Sequence, residues 1–67
     1  KTFSERITIY FYIVYLILSL NEQTTLQFIL LEQMRSSYLI SQNKKRKLYK
    51  LAFDKIDFEE RLELALK

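Results

Sequence analysis

The residues of this chain best suited to chemistry are cations. Lys44, Lys45, Arg46 and Lys47 stand in one run, with Lys50 close behind. Clustered cations bind phosphates, so the run is a candidate nucleic-acid contact. Placed at a helix start, it opposes the helix dipole, which prefers anions there. That cost points to an anion from outside, either nucleic acid or an acidic protein surface. The plainer reading is a solvated helix end that aids solubility. Glu59, Glu60 and Glu63 offer carboxylates, but Arg61 stands among them, and the group reads as a charged helix face. Tyr12 and Tyr15 could donate hydrogen bonds in a pocket, although buried tyrosines more often only satisfy their own hydroxyls. The chain has no His, no Cys and no Gly. Nothing therefore supports nucleophilic catalysis or a Gly-rich phosphate cradle, and a zinc site would need carboxylates alone. The sequence reads as non-enzymatic, with no catalytic residue, metal or cofactor.

The elements that position these groups must be built in 67 residues, of which 49% are hydrophobic and 28% charged, with net charge +3. That composition is globular rather than disordered. The length allows one domain, residues 1–67, and a core so small that stability usually needs outside help. Without cysteine that help is not a disulfide, so another subunit is expected. Gly and Pro are both absent, which disfavours tight-turned all-β folds and favours helices joined by short polar links. The chain opens on Lys1, and the pattern of Leu64, Ala65 and Leu66 still runs when it stops at Lys67. A fragment of a larger chain is therefore an open reading. No small-residue cleavage site follows Leu20, so no secretory signal is read. The expected location is the cytoplasm or another reducing intracellular compartment.

Residues 7–20, ITIYFYIVYLILSL, carry no charge. Over 7–13 the alternation of Ile7, Ile9, Phe11 and Ile13 with Thr8, Tyr10 and Tyr12 is a strand pattern. In that reading, residues 6–38 resemble the ribbon-helix-helix repressors, a strand followed by two helices. The resemblance would imply strand pairing between two subunits, with Thr8, Tyr10 and Tyr12, or the Ile set, facing the major groove. Arg, Lys, Asn or Gln would be expected there, and no polar break separates the strand from the next helix. The helical reading uses more of the chain. Lys1, Glu5, Thr8, Tyr12, Tyr15, Ser19 and Glu22 recur at spacings of three and four and form one polar stripe. It is favoured because the alternation fails after Val14 and a strand of this length would be unusual. Ser4 is the expected N-cap, and Asn21 ends the run. As a membrane span the run covers roughly 21 Å, short of a hydrocarbon core of about 30 Å.

A second helix is expected from Glu22 or Thr25 to about Gln42, capped by Thr24 or Asn21. Leu26, Leu30, Met34 and Tyr38 form its seam, flanked by Phe28, Leu31 and Leu39 on one side and Ile29 and Ile40 on the other. Ser36 and Ser37 could permit a close approach. A third helix follows the basic run, with Leu48, Tyr49, Ala52, Phe53 and Ile56 on one face. Asp57, with Glu60 three residues on, reads as the cap of a fourth helix striped by Phe58, Leu62, Ala65 and Leu66, although the third and fourth could be one kinked helix. A helix-turn-helix made of the second and third helices is weakened by a turn without Gly.

The expectation is an all-α bundle of three to four helices, completed by self-association or a partner. Its function reads as protein–protein interaction or regulation, with Ile9, Ile13, Leu16, Ile17 and Leu20 on the partner-binding surface. The alternative is a nucleic-acid-binding regulator using Lys44, Lys45, Arg46, Lys47 and Lys50. A membrane-associated subunit built on the helix of 7–20 is the third reading.

Overall fold

The computed structural model describes residues 2–20 and 22–67, and within them the chain is three helices with no strand. Lys1 and Asn21, assigned to the polar stripe and to the end of the first helix, lie outside the described residues. Helix α1 runs Phe3–Leu18. The helical pattern prevails over the alternating one, so the strand, and with it the ribbon-helix-helix arrangement, does not form. The N-cap is Thr2 rather than Ser4. Its hydroxyl accepts from the Glu5 amide at 3.1 Å, and the Glu5 carboxylate accepts from the Thr2 amide at 3.3 Å. Ser4 has Ile7 three residues on and no carboxylate to close such a box.

Helix α2 runs Thr25–Ser37 and starts with the same device, Thr24 paired with Gln27. It stops five residues before the expected Gln42. Leu39 takes a left-handed φ of 59°, the Ile40 amide donates to the Arg35 carbonyl at 3.0 Å, and the Leu39 amide donates to the Ser36 carbonyl at 3.1 Å. These two bonds are a Schellman end, ordinarily built on glycine. Ile40 is then buried and pins the link. Ser41 caps the next helix by accepting from the Lys44 amide at 3.1 Å.

Helix α3 is continuous over Gln42–Leu66, so there are three helices and not four. Asp57 is not a cap; it lies within α3 and holds Arg61 at 2.8 Å one turn on. With no Gly or Pro near it, the backbone satisfies its own amides by continuing.

Helix α1 is the hub. It packs along α3 and against α2, whereas α2 and α3 barely touch. Tyr10 lies beside Tyr49, and Tyr15, further along α1, bonds to Glu59, so α1 and α3 run in the same direction. Helix α2 returns in the opposite direction against α1. The core is small: Tyr10 and Val14 from α1, Leu31 from α2, Ile40 from the link, and Leu48 and Ala52 from α3. The expected α2 seam is split. Met34 and Tyr38 reach the core, Leu26 and Leu30 do not, and Leu31 takes the buried place. Ser36 and Ser37 are exposed, and the small residue under a helix contact is Ala52.

Candidate interaction surface

Two contacts fix which way the helices face. Tyr15 of α1 donates its hydroxyl proton to Glu59 and lies under Lys55 Nζ, 5.0 Å from the ring centre. Glu32 of α2 meets Lys45 at 3.8 Å and Gln42 at 3.4 Å. Tyr15 and Glu32 therefore mark the α3-facing sides of α1 and α2. At 100° per residue, Ile9, Ile13 and Leu16 lie roughly 100–160° around α1 from Tyr15, and Leu26 and Leu30 lie roughly 120–160° around α2 from Glu32. Leu16, Leu26 and Leu30 turn outward on adjacent, antiparallel helices, while Ile13 reaches the edge of the core.

Of the five residues assigned to partner binding, Leu16 is 60% exposed, and Leu20 is exposed where the chain leaves α1. Ile9 is half-buried. Ile13 and Ile17 are half-buried and pack against the edge of the core. Leu26, 64% exposed, and Leu30 extend the surface across α2. Sequence reasoning placed those two leucines in the seam of α2 with Met34 and Tyr38, because an i, i+4 pattern looks the same on an inner and an outer face. The polar stripe of α1 borders this surface: Thr8, Tyr12 and Ser19 are exposed, and the Thr8 and Ser19 hydroxyls bond back to carbonyls of their own helix.

The basic cluster divides. Lys45 is half-buried, paired with Glu32 and 6.0 Å from the Tyr49 ring centre. Lys44, Arg46, Lys47 and Lys50 are exposed and make no ion pair among the described residues. Arg35 donates to Glu32 at 2.8 Å and to the Ile40 carbonyl at 2.7 Å. The bond from Arg35 holds the Glu32 carboxyl below its usual range. Glu59 is likewise lowered, first by the Tyr15 hydroxyl, and serves as a tie between helices; Glu60 and Glu63 are exposed. No group of three carboxylates gathers in metal-binding geometry among the described residues. Among them, too, no helix is long and apolar enough to cross a membrane; α1 has 16 residues.

The whole molecule is under-covered. Fifteen large apolar side chains are exposed among the described residues, against six residues in the core. The accessible surface is 5200 Å², where a compact monomer of 8.2 kDa is expected to show about 4500 Å². The radius of gyration is 13.1 Å against about 11 Å for a compact chain of this length. The surplus area approaches the roughly 800 Å² that each partner buries in a standard interface. Comparison with protein-family models, curated proteins and solved structures finds no match to this chain.

Proposed function

We propose that this chain is a non-enzymatic helical protein–protein interaction or regulatory module. It buries the outer face of the α1–α2 hairpin against another protein chain, a second copy or a partner. The observation that carries this reading is the outward position of Leu16 and Leu20 on the most apolar segment of the sequence, extended by Leu26 and Leu30. Apolar patches of this kind mark interaction sites, and no described residue covers Leu16, Leu20, Leu26 or Leu30. A cytoplasmic or other reducing compartment suits a protein that stabilises itself by association rather than by disulfides.

Sedimentation in detergent-free buffer, with far-UV circular dichroism, tests the reading. The chain is expected to assemble beyond a monomer, and Leu16→Asp is expected to reverse assembly while helicity persists. A well-folded monomer at all concentrations overturns it.

A second reading is supported by the four exposed cations Lys44, Arg46, Lys47 and Lys50, which make no ion pair among the described residues. They could contact nucleic-acid phosphates. Four such contacts would give a slope of about −3 to −4 in log K against log salt. The slope should vanish when all four become Ala; no retention of single- or double-stranded nucleic acid at low salt removes this reading.

A further inference from the structure

Among the described residues, the cations away from the outer side of the α3 start all have partners. Arg35, Lys45, Lys55, Arg61 and Lys67 meet carboxylates, and Arg6 lies over the Phe3 ring. Lys44, Arg46, Lys47 and Lys50 are exposed and have none. They stand in the first turns of α3, where the positive end of the helix dipole adds to their charge rather than relieving it. Ala52 is fully buried and marks the inward side of this helix. At 100° per residue, Asn43 lies roughly 180° and Lys50 roughly 160° around from Ala52, so both point outward. Arg46 lies roughly 60° to one side of Asn43, with Lys47 roughly 40° and Lys44 roughly 100° to the other. Cations thus flank an outward strip on both sides, over an arc of roughly 160°. Asn43 is exposed as well, and between it and Lys50 no apolar residue shares the arc. Asp54, one turn past Lys50, ends the strip.

Resting on the nucleic-acid reading of the same cations, we infer that the start of α3 enters the major groove of double-stranded DNA. A groove presents a line of phosphates on each side of an entering helix. Arg46 meets one line, and Lys44 and Lys47 meet the other. A single strand brings only one such line. A flat anionic surface, whether lipid headgroups or an acidic protein face, meets one side of a helix and leaves a flank unpaired. The strip also offers no apolar side chain to enter a bilayer. A helix with its side chains is about 10–12 Å wide, and the major groove of DNA is about 12 Å wide. The major groove of an RNA duplex is too deep and narrow for side chains to read. The two outward residues are of types that meet base edges in the DNA groove: Asn pairs with N6 and N7 of adenine, and Lys with O6 and N7 of guanine. This strip is separate from the α1–α2 face, and its role stands without that face.

Fluorescence anisotropy of the full chain tests this with three labelled probes of one mixed sequence: a DNA duplex, the matching RNA duplex and a single DNA strand. At low salt the DNA duplex is expected to bind roughly tenfold more tightly than either of the others. Lys44→Ala, Arg46→Ala and Lys47→Ala are each expected to lower the steepness of log K against log salt by about 1. All three positions are exposed, and circular dichroism confirms that helicity is kept. Methylation at guanine N7, an acceptor in the major groove, should exclude a duplex from the bound fraction, whereas methylation at adenine N3, in the minor groove, should not. Equal binding of all three probes, or exclusion at adenine N3 alone, overturns the groove inference and keeps the phosphate reading. No binding of any probe at low salt removes both. Tighter binding to vesicles of anionic lipid than to the DNA duplex also overturns it.

Discussion

Tyr10 is fully enclosed, yet its hydroxyl finds no hydrogen bond of ordinary geometry. The Tyr49 phenol lies beside it, close enough for the two to couple. Burial is the main cause that pushes the Tyr10 phenol well above its ordinary value near 10.0, and burial raises Tyr49 as well. Leaving a buried hydroxyl unpaired costs about 1–3 kcal/mol. Tyr10→Phe keeps the ring and removes the cost, so it is expected to raise stability by about 1 kcal/mol in urea denaturation. The pH dependence follows from the same group. Below about pH 10 both folded and unfolded chains hold the proton, and the stability it contributes is complete. As pH rises further the unfolded phenol ionises first and the folded one resists, so stability falls through the alkaline range. Helicity followed against pH should show this loss, and Tyr10→Phe should reduce it. A parent chain equally stable well above pH 10 would contradict the burial of this phenol.

Among the elements, the Schellman link between α2 and α3 is the clearest point of strain. A left-handed non-glycine residue costs about 1–2 kcal/mol. Leu39 is exposed, so it gains little packing in return. Leu39→Gly relieves the strain but loosens the unfolded chain, which offsets about 0.4–1 kcal/mol. The net expectation is about 0.5–1 kcal/mol of added stability, a rise of a few degrees in Tm for a domain this small. Unchanged or lowered Tm would show that Leu39 does more than close the turn. This link also shows where the sequence stops being readable. Thr24 was visible as a cap because it is a hydroxyl residue just before an apolar run, and the inward face of α3 was visible because Leu48 and Ala52 follow at helical spacing. The end of α2 was not, because the residue forced into the left-handed region is a leucine and no glycine marks it. Asp57 misled in the other direction. A carboxylate with Glu three residues on resembles a cap, but its Arg61 partner one turn later serves a continuous helix equally well.

For the molecule as a whole, six core residues stand against fifteen exposed large apolar side chains among the described residues. If association supplies the missing burial, the midpoint of thermal unfolding rises with protein concentration, as for any equilibrium in which only the folded form binds. A midpoint independent of concentration would mean that the isolated fold is self-sufficient. The sequence showed that apolar residues exceed what one small chain can enclose. Which ones would be left outside depended on the packing around α1, because α1 is apolar over most of its circumference and offers several equivalent faces. The contact of Tyr15 with Glu59 turns Leu16 outward, and Leu20 is exposed where the chain leaves α1. The shared direction of α1 and α3 has one more result. Residue 2 lies near the start of α3 and residue 67 at its far end, so the two are separated by much of the 42 Å long axis. A donor at one and an acceptor at the other, with a transfer range well below that length, would be poorly coupled within a single copy. If two copies associate side by side in reversed alignment, each donor would lie close to the acceptor of its neighbour, and energy transfer would then report the orientation of the two chains directly.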